Sequence, residues 1–323
     1  MHFRVKGMRT SQLPGSTTGA RASPRTARRL RRSTSELALR WETMTEFAFT
    51  DSYYRFAQAV TRKSRYIQDD EIRAFLATVM ETSAARKDSI EKSSIWFRAQ
   101  RGYTWRTEEQ GPDDEEFEIP DAYGPARMTP TAEFVGDGRG NPRGIPCLYL
   151  ASTKETAMAE VRPWVGSYIS LAQFKVMRDV VVVNCTKDKR MFPNWLFNQN
   201  QQEIPAEKRE QIAWGDIAHA LSRPVTPDEP VTEYVPTQVL AEAFRAHGYD
   251  GLVYRSLLGD GLNIALFDCA AAELVNCGLY ETNAVSFKFG QCSNPYFISK
   301  HYEELQKKPA DIPKDGLAKL PET

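Results

Sequence analysis

Arg139, Tyr149 and Glu160 fall within 22 residues of one another, along a path from a glycine-rich loop through a short strand into a short helix. A guanidinium matches the paired oxygens of a phosphate or carboxylate. A carboxylate fixed near a reacting centre offsets positive charge that develops there. Three different functional groups are thus carried by a few turns of backbone, and the surrounding residues decide whether they meet.

Gly136 to Gly144 holds four glycines and a proline, too many for a helix or a packed strand, so it is a loop whose backbone can approach a ligand closely. Its glycines also make it easy to displace, and so a natural point of control. Cys147 to Leu150 reads as a strand, with Leu148 and Leu150 on one face and Tyr149 on the other. Ser152-Thr153-Lys154-Glu155 has capping-box spacing, which places the N-cap at Ser152 and starts a helix. Pro163 disfavours helical backbone at Arg162, so this helix has two or three turns and Glu160 stands near its C-terminal end. A carboxylate there meets the unfavourable end of the helix dipole, an argument that it serves something other than helix stability.

Ordered along the chain are Phe97-Arg98, Gly138-Arg139-Gly140-Asn141-Pro142, Leu148-Tyr149-Leu150-Ala151, Thr156-Ala157-Met158-Ala159-Glu160-Val161-Arg162-Pro163 and Gly248-Tyr249-Asp250-Gly251-Leu252-Val253-Tyr254-Arg255-Ser256. This set, over residues 93–285, resembles the RES domain family, named for an arginine, a glutamate and a serine. The resemblance implies an α+β fold like that of ADP-ribosyltransferases, a split sheet with flanking helices whose central cleft holds NAD. It implies an NAD-degrading enzyme, a glycohydrolase or phosphorylase using water or phosphate as acceptor, and the toxin of a toxin-antitoxin or defence system. NAD would be substrate, with no further cofactor, and an antitoxin or inhibitor protein would be the partner.

On that reading Glu160 faces the oxocarbenium-like centre formed as the nicotinamide-ribose bond breaks. Arg139 and Arg98, the latter at the end of an apolar strand, bind the diphosphate. Tyr149 stacks on the nicotinamide or orients the ribose, and Ser256 bonds the nicotinamide end or holds Glu160. Asn141 and Arg162 are left to loop and helix-end packing. Taken singly, each residue also fits a plain role: a solvated or snorkelling arginine, a core tyrosine, a turn-capping serine. Transfer of ADP-ribose to a macromolecule is the alternative activity, and an inactive interaction module the third reading. Macromolecular transferases carry an acidic or amide residue two positions before the glutamate. Met158 stands there instead, which favours NAD breakdown.

Composition bounds the rest. The 323 residues suffice for one large domain with appendages. No apolar run approaches the ~18 residues of a membrane span, so a cytoplasmic protein without a membrane partner is expected. Five dispersed cysteines, mostly within apolar segments, read as buried free thiols. None of the four histidines pairs at zinc-site spacing, so no metal is expected.

Charge is unevenly placed although 42 basic and 42 acidic residues balance. Residues 1–43 carry ten Arg or Lys against two Glu, with few apolar residues, and are expected to be a disordered leader. Nucleic acid would be bound only through that leader. Residues 44–92 show helical apolar spacing through Phe56, Val60, Ile72, Phe75 and Val79, a helical extension that supports the body or offers a surface for a homo-oligomer. Residues 107–121 read as a solvated acidic loop. Further elements are expected at Val180–Val183 (strand), Ala206–Leu221 (helix), from Pro236 to a stop at Gly248 (helix), and Leu252–Ser256 and Asn263–Phe267 (strands). Residues 286–323 read as a tail that wraps or frays.

Overall fold

The structure, a computed structural model, describes residues 46–108, 117–190, 204–224 and 230–290. The basic leader and most of the C-terminal tail lie outside the described residues. The chain divides into a body ending at Asn283 and a segment from Ala284, in which the Phe287 and Phe289 rings stack with centroids 6.2 Å apart. Among the described residues no helix is long and apolar enough to cross a membrane.

The body is α+β. Helices α1 (Ser52–Arg62) and α2 (Asp70–Ser83) precede strands β1 (Lys87–Ile90), β2 (Ile95–Arg101), β3 (Thr104–Glu108) and β4 (Phe117–Asp121). A single turn, α3 (Pro125–Met128), leads to β5 (Leu148–Ala151), α4 (Lys154–Glu160), β6 (Tyr168–Val176) and β7 (Val180–Asn184). Helices α5 (Ala206–Ser222) and α6 (Val235–Ala246) then precede β8 (Gly251–Arg255), β9 (Leu262–Leu266) and β10 (Ala272–Glu281). Eight strands form one mixed sheet in the order β1-β7-β8-β9-β5-β2-β6-β10, in which β7 and β8 run parallel. β2 and β5 meet at a single registered pair, Phe97 opposite Ala151, so the sheet splits into two halves there. That opening is the split expected for this fold class.

Strand alternation separates two cores. Val183, Leu252 and Ala265 turn toward the helices, while their neighbours Val182, Val253 and Ile264 pack between the two halves of the sheet with Phe174 and Val176. The first core includes α1 and α2 as full members. Phe56 and Phe75 are buried and stack at 4.5 Å, and Ile72 and Val79 share the cluster with Trp214, Leu240 and Phe244 of α5 and α6. Burying a side chain the size of Phe56 contributes roughly 1.5–3 kcal/mol. Asp69 starts α2 by accepting a hydrogen bond from Ile72 N at 2.9 Å. Polar contacts lock the same seam. Trp214 Nε1 donates to Thr82 Oγ1 at 3.0 Å, and Arg86, buried over the Trp214 ring, pairs with Asp188 at 2.8 Å.

α6 starts with Pro236 in its first turn and stops where Gly248 takes φ +90°. Gly248 N bonds Arg245 O and Tyr249 N bonds Phe244 O, both at 3.1 Å, a Schellman closure that needs a glycine at that position. Two expectations are corrected. The ends of the acidic 107–121 stretch are strands: β3 and β4 pair antiparallel, Thr104 opposite Asp121 through Glu108 opposite Phe117, because Trp105, Ile119 and Phe117 alternate with charges suited to a two-stranded ribbon. Strands β8 and β9 each lie one residue earlier than expected, which leaves Ser256 just past its strand.

Candidate active site

The opening between β2 and β5 is a cleft of about 300 Å³. Phe97, Arg98, Tyr149 and Leu150 line its diverging strands, and Arg139, Glu160 and Tyr254 reach it from other elements. A single sheet thereby brings together Arg98, Arg139, Tyr149 and Glu160, while Ser256 stands behind the wall.

Glu160 is the last residue of α4, and tertiary contacts set that helix in place. The N-cap is Thr153, whose side chain accepts from Thr156 N at 3.1 Å, one residue beyond the expected Ser152. Ser152 Oγ is used elsewhere, accepting Leu262 N at 2.9 Å at the head of β9. Thr156 Oγ1 accepts Gly261 N at 3.0 Å, and a Cβ on Gly261 would stand 2.5 Å from that oxygen. The glycine is there so that the β8–β9 turn can close on α4. Arg162, next to Pro163, has φ +48°, a left-handed conformation that costs a non-glycine residue about 1–2 kcal/mol.

The Glu160 carboxylate is held through one oxygen. Oε1 accepts Ser256 Oγ at 2.7 Å and Asn263 Nδ2 at 2.6 Å. Ser256 Oγ itself accepts the amides of Leu258 at 3.0 Å and Gly259 at 3.1 Å, so its single proton is directed at the carboxylate. Among the described residues nothing bonds Oε2. Of the two roles open to Ser256, its geometry is that of holding Glu160.

Arg139 sits in a closed turn. Gly138 N bonds Asn141 O at 2.9 Å and Asn141 N bonds Gly138 O at 3.4 Å. Tyr149 OH accepts Gly140 N at 2.8 Å and donates to Asn141 Oδ1 at 2.6 Å. A Cβ on Gly138 would lie 2.5 Å from that hydroxyl, so the glycine admits Tyr149 rather than a ligand. Asn141, fully buried, donates to Gly136 O and Pro142 O, both at 3.0 Å, and is a structural residue of the loop. The expected easily displaced loop is in fact tied down on several sides. The Tyr149 hydroxyl is committed to the loop, while the residue lines the cleft.

The two arginines are electrostatically unusual. Arg139 Nη1 donates to Ala220 O at 2.5 Å in the last turn of α5, and its guanidinium stands 5.7 Å from the Tyr234 ring centroid. Arg98 lies within β2, opposite Ala172, rather than at the strand's end. Its Nη1 donates to Tyr149 O at 3.3 Å, and its Nε is buried without a partner. Burial lowers the pKa of both below the ordinary arginine value, with nearby thiol, phenol and carboxylate groups offsetting only part of that effect. Among the described residues no carboxylate is within ion-pair distance of either. Both guanidiniums are half-buried on the cleft that Glu160 also lines, and each keeps N–H groups that the described residues do not take up.

Residues not singled out from sequence complete the site. Tyr254 and Asn263 are cross-strand partners in β8 and β9, both buried and both lining the cleft. Burial, with Glu160 next, pushes the Tyr254 hydroxyl above its ordinary pKa, so it stays protonated. Period-two alternation already places Tyr254 on the same face as Ser256, and Asn263 is the one amide in an apolar strand; those were the available signals.

No curated protein sequence matches the chain. A solved structure described as the crystal structure of the M. tuberculosis MbcT-MbcA toxin-antitoxin complex aligns at 16% identity over 63% of this chain and 92% of that one, with a TM-score of 0.32. The family model described as RES domain matches residues 104–288, which include Arg139, Tyr149, Glu160 and Ser256 and begin after Arg98. That match spans more than half of a chain whose Arg139 and Glu160 line one cleft with Ser256 bonded to the glutamate behind it, and the chain belongs to the RES domain family.

Proposed function

We propose that this protein consumes NAD by cleaving the bond between nicotinamide and ribose. The observation that carries the reading is Glu160, fixed through Oε1 by Ser256 and Asn263 with no bond to Oε2 among the described residues, on the same cleft as the Arg98 and Arg139 guanidiniums. Arg98 and Arg139 suit the diphosphate of NAD. The bond to the pyridinium nitrogen breaks with its electron pair going to the ring, which leaves as neutral nicotinamide, and the positive charge passes to the ribose C1 and ring oxygen. Glu160 stabilises that charge, an effect on the order of 3 kcal/mol for a preorganised group. Water then attacks C1 and releases a proton to give ADP-ribose, or phosphate attacks to give the 1-phosphate.

The apolar Met158, packed against Ala151, Ala157 and Leu171, supports a small acceptor over a macromolecular one. In this reading the enzyme acts on the cytoplasmic NAD pool as a toxin, and an antitoxin or inhibitor restrains it. The test is incubation with NAD in phosphate-free and phosphate buffers, with chromatographic identification of products. Nicotinamide with ADP-ribose in the first supports hydrolysis; the sugar 1-phosphate in the second supports phosphorolysis. No nicotinamide release in either buffer refutes the proposal.

A further inference from the structure

Gln238 is a buried amide one turn into α6, and its side chain is spent on the Arg139 turn. Its Nε2 donates to Asn141 O at 2.9 Å and Gly138 O at 3.0 Å, with Asp137 Oδ1 at 3.3 Å. An amide nitrogen has two protons, so the two carbonyls take them and the carboxylate shares one. Those carbonyls are the two that close the turn on itself, on either side of Arg139. Tyr149 clamps the same four residues from β5 through Gly140 N and Asn141 Oδ1. The residues flanking Arg139 are therefore gripped by two side chains, one from the following strand and one from a helix about a hundred residues on, and its guanidinium by the α5 C-terminus.

α6 is itself seated on the N-terminal helices, since Val239, Leu240 and Phe244 share a core with Phe56 and Val79. A path of packed groups runs from α1 and α2 through α6 and Gln238 to the Arg139 turn.

We infer that Gln238 is a positioning residue for anion binding: it sets the direction in which Arg139 enters the cleft, and through α6 it links the Arg139 turn to the core that holds the N-terminal helices. The inference rests on the reading of Arg139 as the phosphate-binding arm. Removing the Gln238 amide leaves the turn held by its own pair of bonds, the Tyr149 hydroxyl and the Asn141 side chain, and a guanidinium displaced by that loosening loses its alignment with the ligand oxygens.

The full-length protein is compared as wild type, Gln238→Met, Gln238→Glu, Arg139→Ala and the double variant Gln238→Met/Arg139→Ala. Gln238→Met matches the length without a donor, and Gln238→Glu serves if the methionine variant does not fold. Nicotinamide release gives KM and kcat for NAD, calorimetry gives the affinity for inorganic pyrophosphate, and deuterium exchange is followed on the peptide covering residues 136–144. The expected result is a KM and a pyrophosphate Kd raised about tenfold, kcat within about twofold, and faster exchange confined to that peptide. In the Arg139→Ala background Gln238→Met should add nothing, because Gln238 acts through that arginine. A donorless variant with wild-type affinity and exchange overturns the inference while leaving the functional reading intact. If instead Arg139→Ala leaves both KM and pyrophosphate affinity unchanged, Arg139 is not the phosphate arm and the inference falls, while NAD cleavage, measured in the same assay, stands.

Discussion

Ser256 Oγ lies 2.7 Å from Glu160 Oε1 while accepting two backbone amides, so the hydroxyl can only donate toward the carboxylate. The serine is thus a fixed strut for the Glu160 carboxylate. Replacing Ser256 with Ala should reduce kcat by about 10- to 100-fold with a smaller change in KM. It also leaves the Leu258 and Gly259 amides without their acceptor, costing about 1–2 kcal/mol of stability. Steady-state kinetics with a thermal melt check both; an unchanged kcat would show that Asn263 alone suffices to hold Glu160.

Glu160→Gln keeps the side-chain shape and removes the charge. NAD consumption is expected to fall at least about 100-fold with little change in melting temperature. Expression in cells offers a second readout: NAD content should drop and growth stop with the wild type and not with the variant. Arrest with both would assign the toxicity to something other than catalysis.

Arg98 is half-buried, and among the described residues its Nε has no hydrogen-bond partner and its guanidinium no carboxylate within ion-pair distance, a costly state. Arg98→Met should therefore move stability and activity in opposite directions. The melting temperature is expected to rise, by about 1 kcal/mol in stability, as KM for NAD rises about tenfold or more. A variant that is less stable and binds NAD normally would make Arg98 a structural residue.

The helices α1 and α2 are core, not ornament. A chain beginning at Met44 should fold and keep its activity, whereas one beginning at residue 93 should fail to fold, having lost Phe56, Ile72, Phe75 and Val79. Phe56→Ala in the full chain should cost about 3–5 kcal/mol. Circular dichroism with thermal unfolding of the three proteins decides the point.

Asp250 accepts Arg178 Nη2 and Val181 N, each at 2.7 Å, and the arginine bond foremost holds its carboxyl below the ordinary carboxylate range. A folded pKa below the unfolded value of about 4 means a contribution that is complete above that pH and lost as pH falls through and below it. The stability gap between wild type and Asp250→Asn should therefore narrow on acidification below about pH 4. A gap that is constant or widens with acid would remove the ion pair as its cause.

Much of the site's local scaffolding was written in neighbouring residues. Alternation put Tyr149 opposite Leu148 and Leu150, Pro163 ended α4 at Glu160, and Pro236 with Gly248 bracketed α6, because these signals act through φ, ψ and side-chain period within a few residues. The ordered motif set named the family. What binds Glu160 was legible only in part: the resemblance offered Ser256 with two alternative roles and did not offer Asn263, since the two are 96 and 103 residues away and only the β8–β9 pairing turns them toward α4. Thr153 rather than Ser152 caps α4 for a similar reason, since Ser152 was claimed by Leu262 N on another strand. A hydroxyl with several acceptable partners takes the one the tertiary register supplies. The glycines of the Arg139 loop signalled close approach, but that they approach Tyr149, and that Gln238 spans their turn, depended on which strand and which helix arrive there. The cleft is likewise a tertiary product, opened because β2 and β5 keep one registered pair, a matter of how two sheet halves twist apart rather than of any residue's own preference.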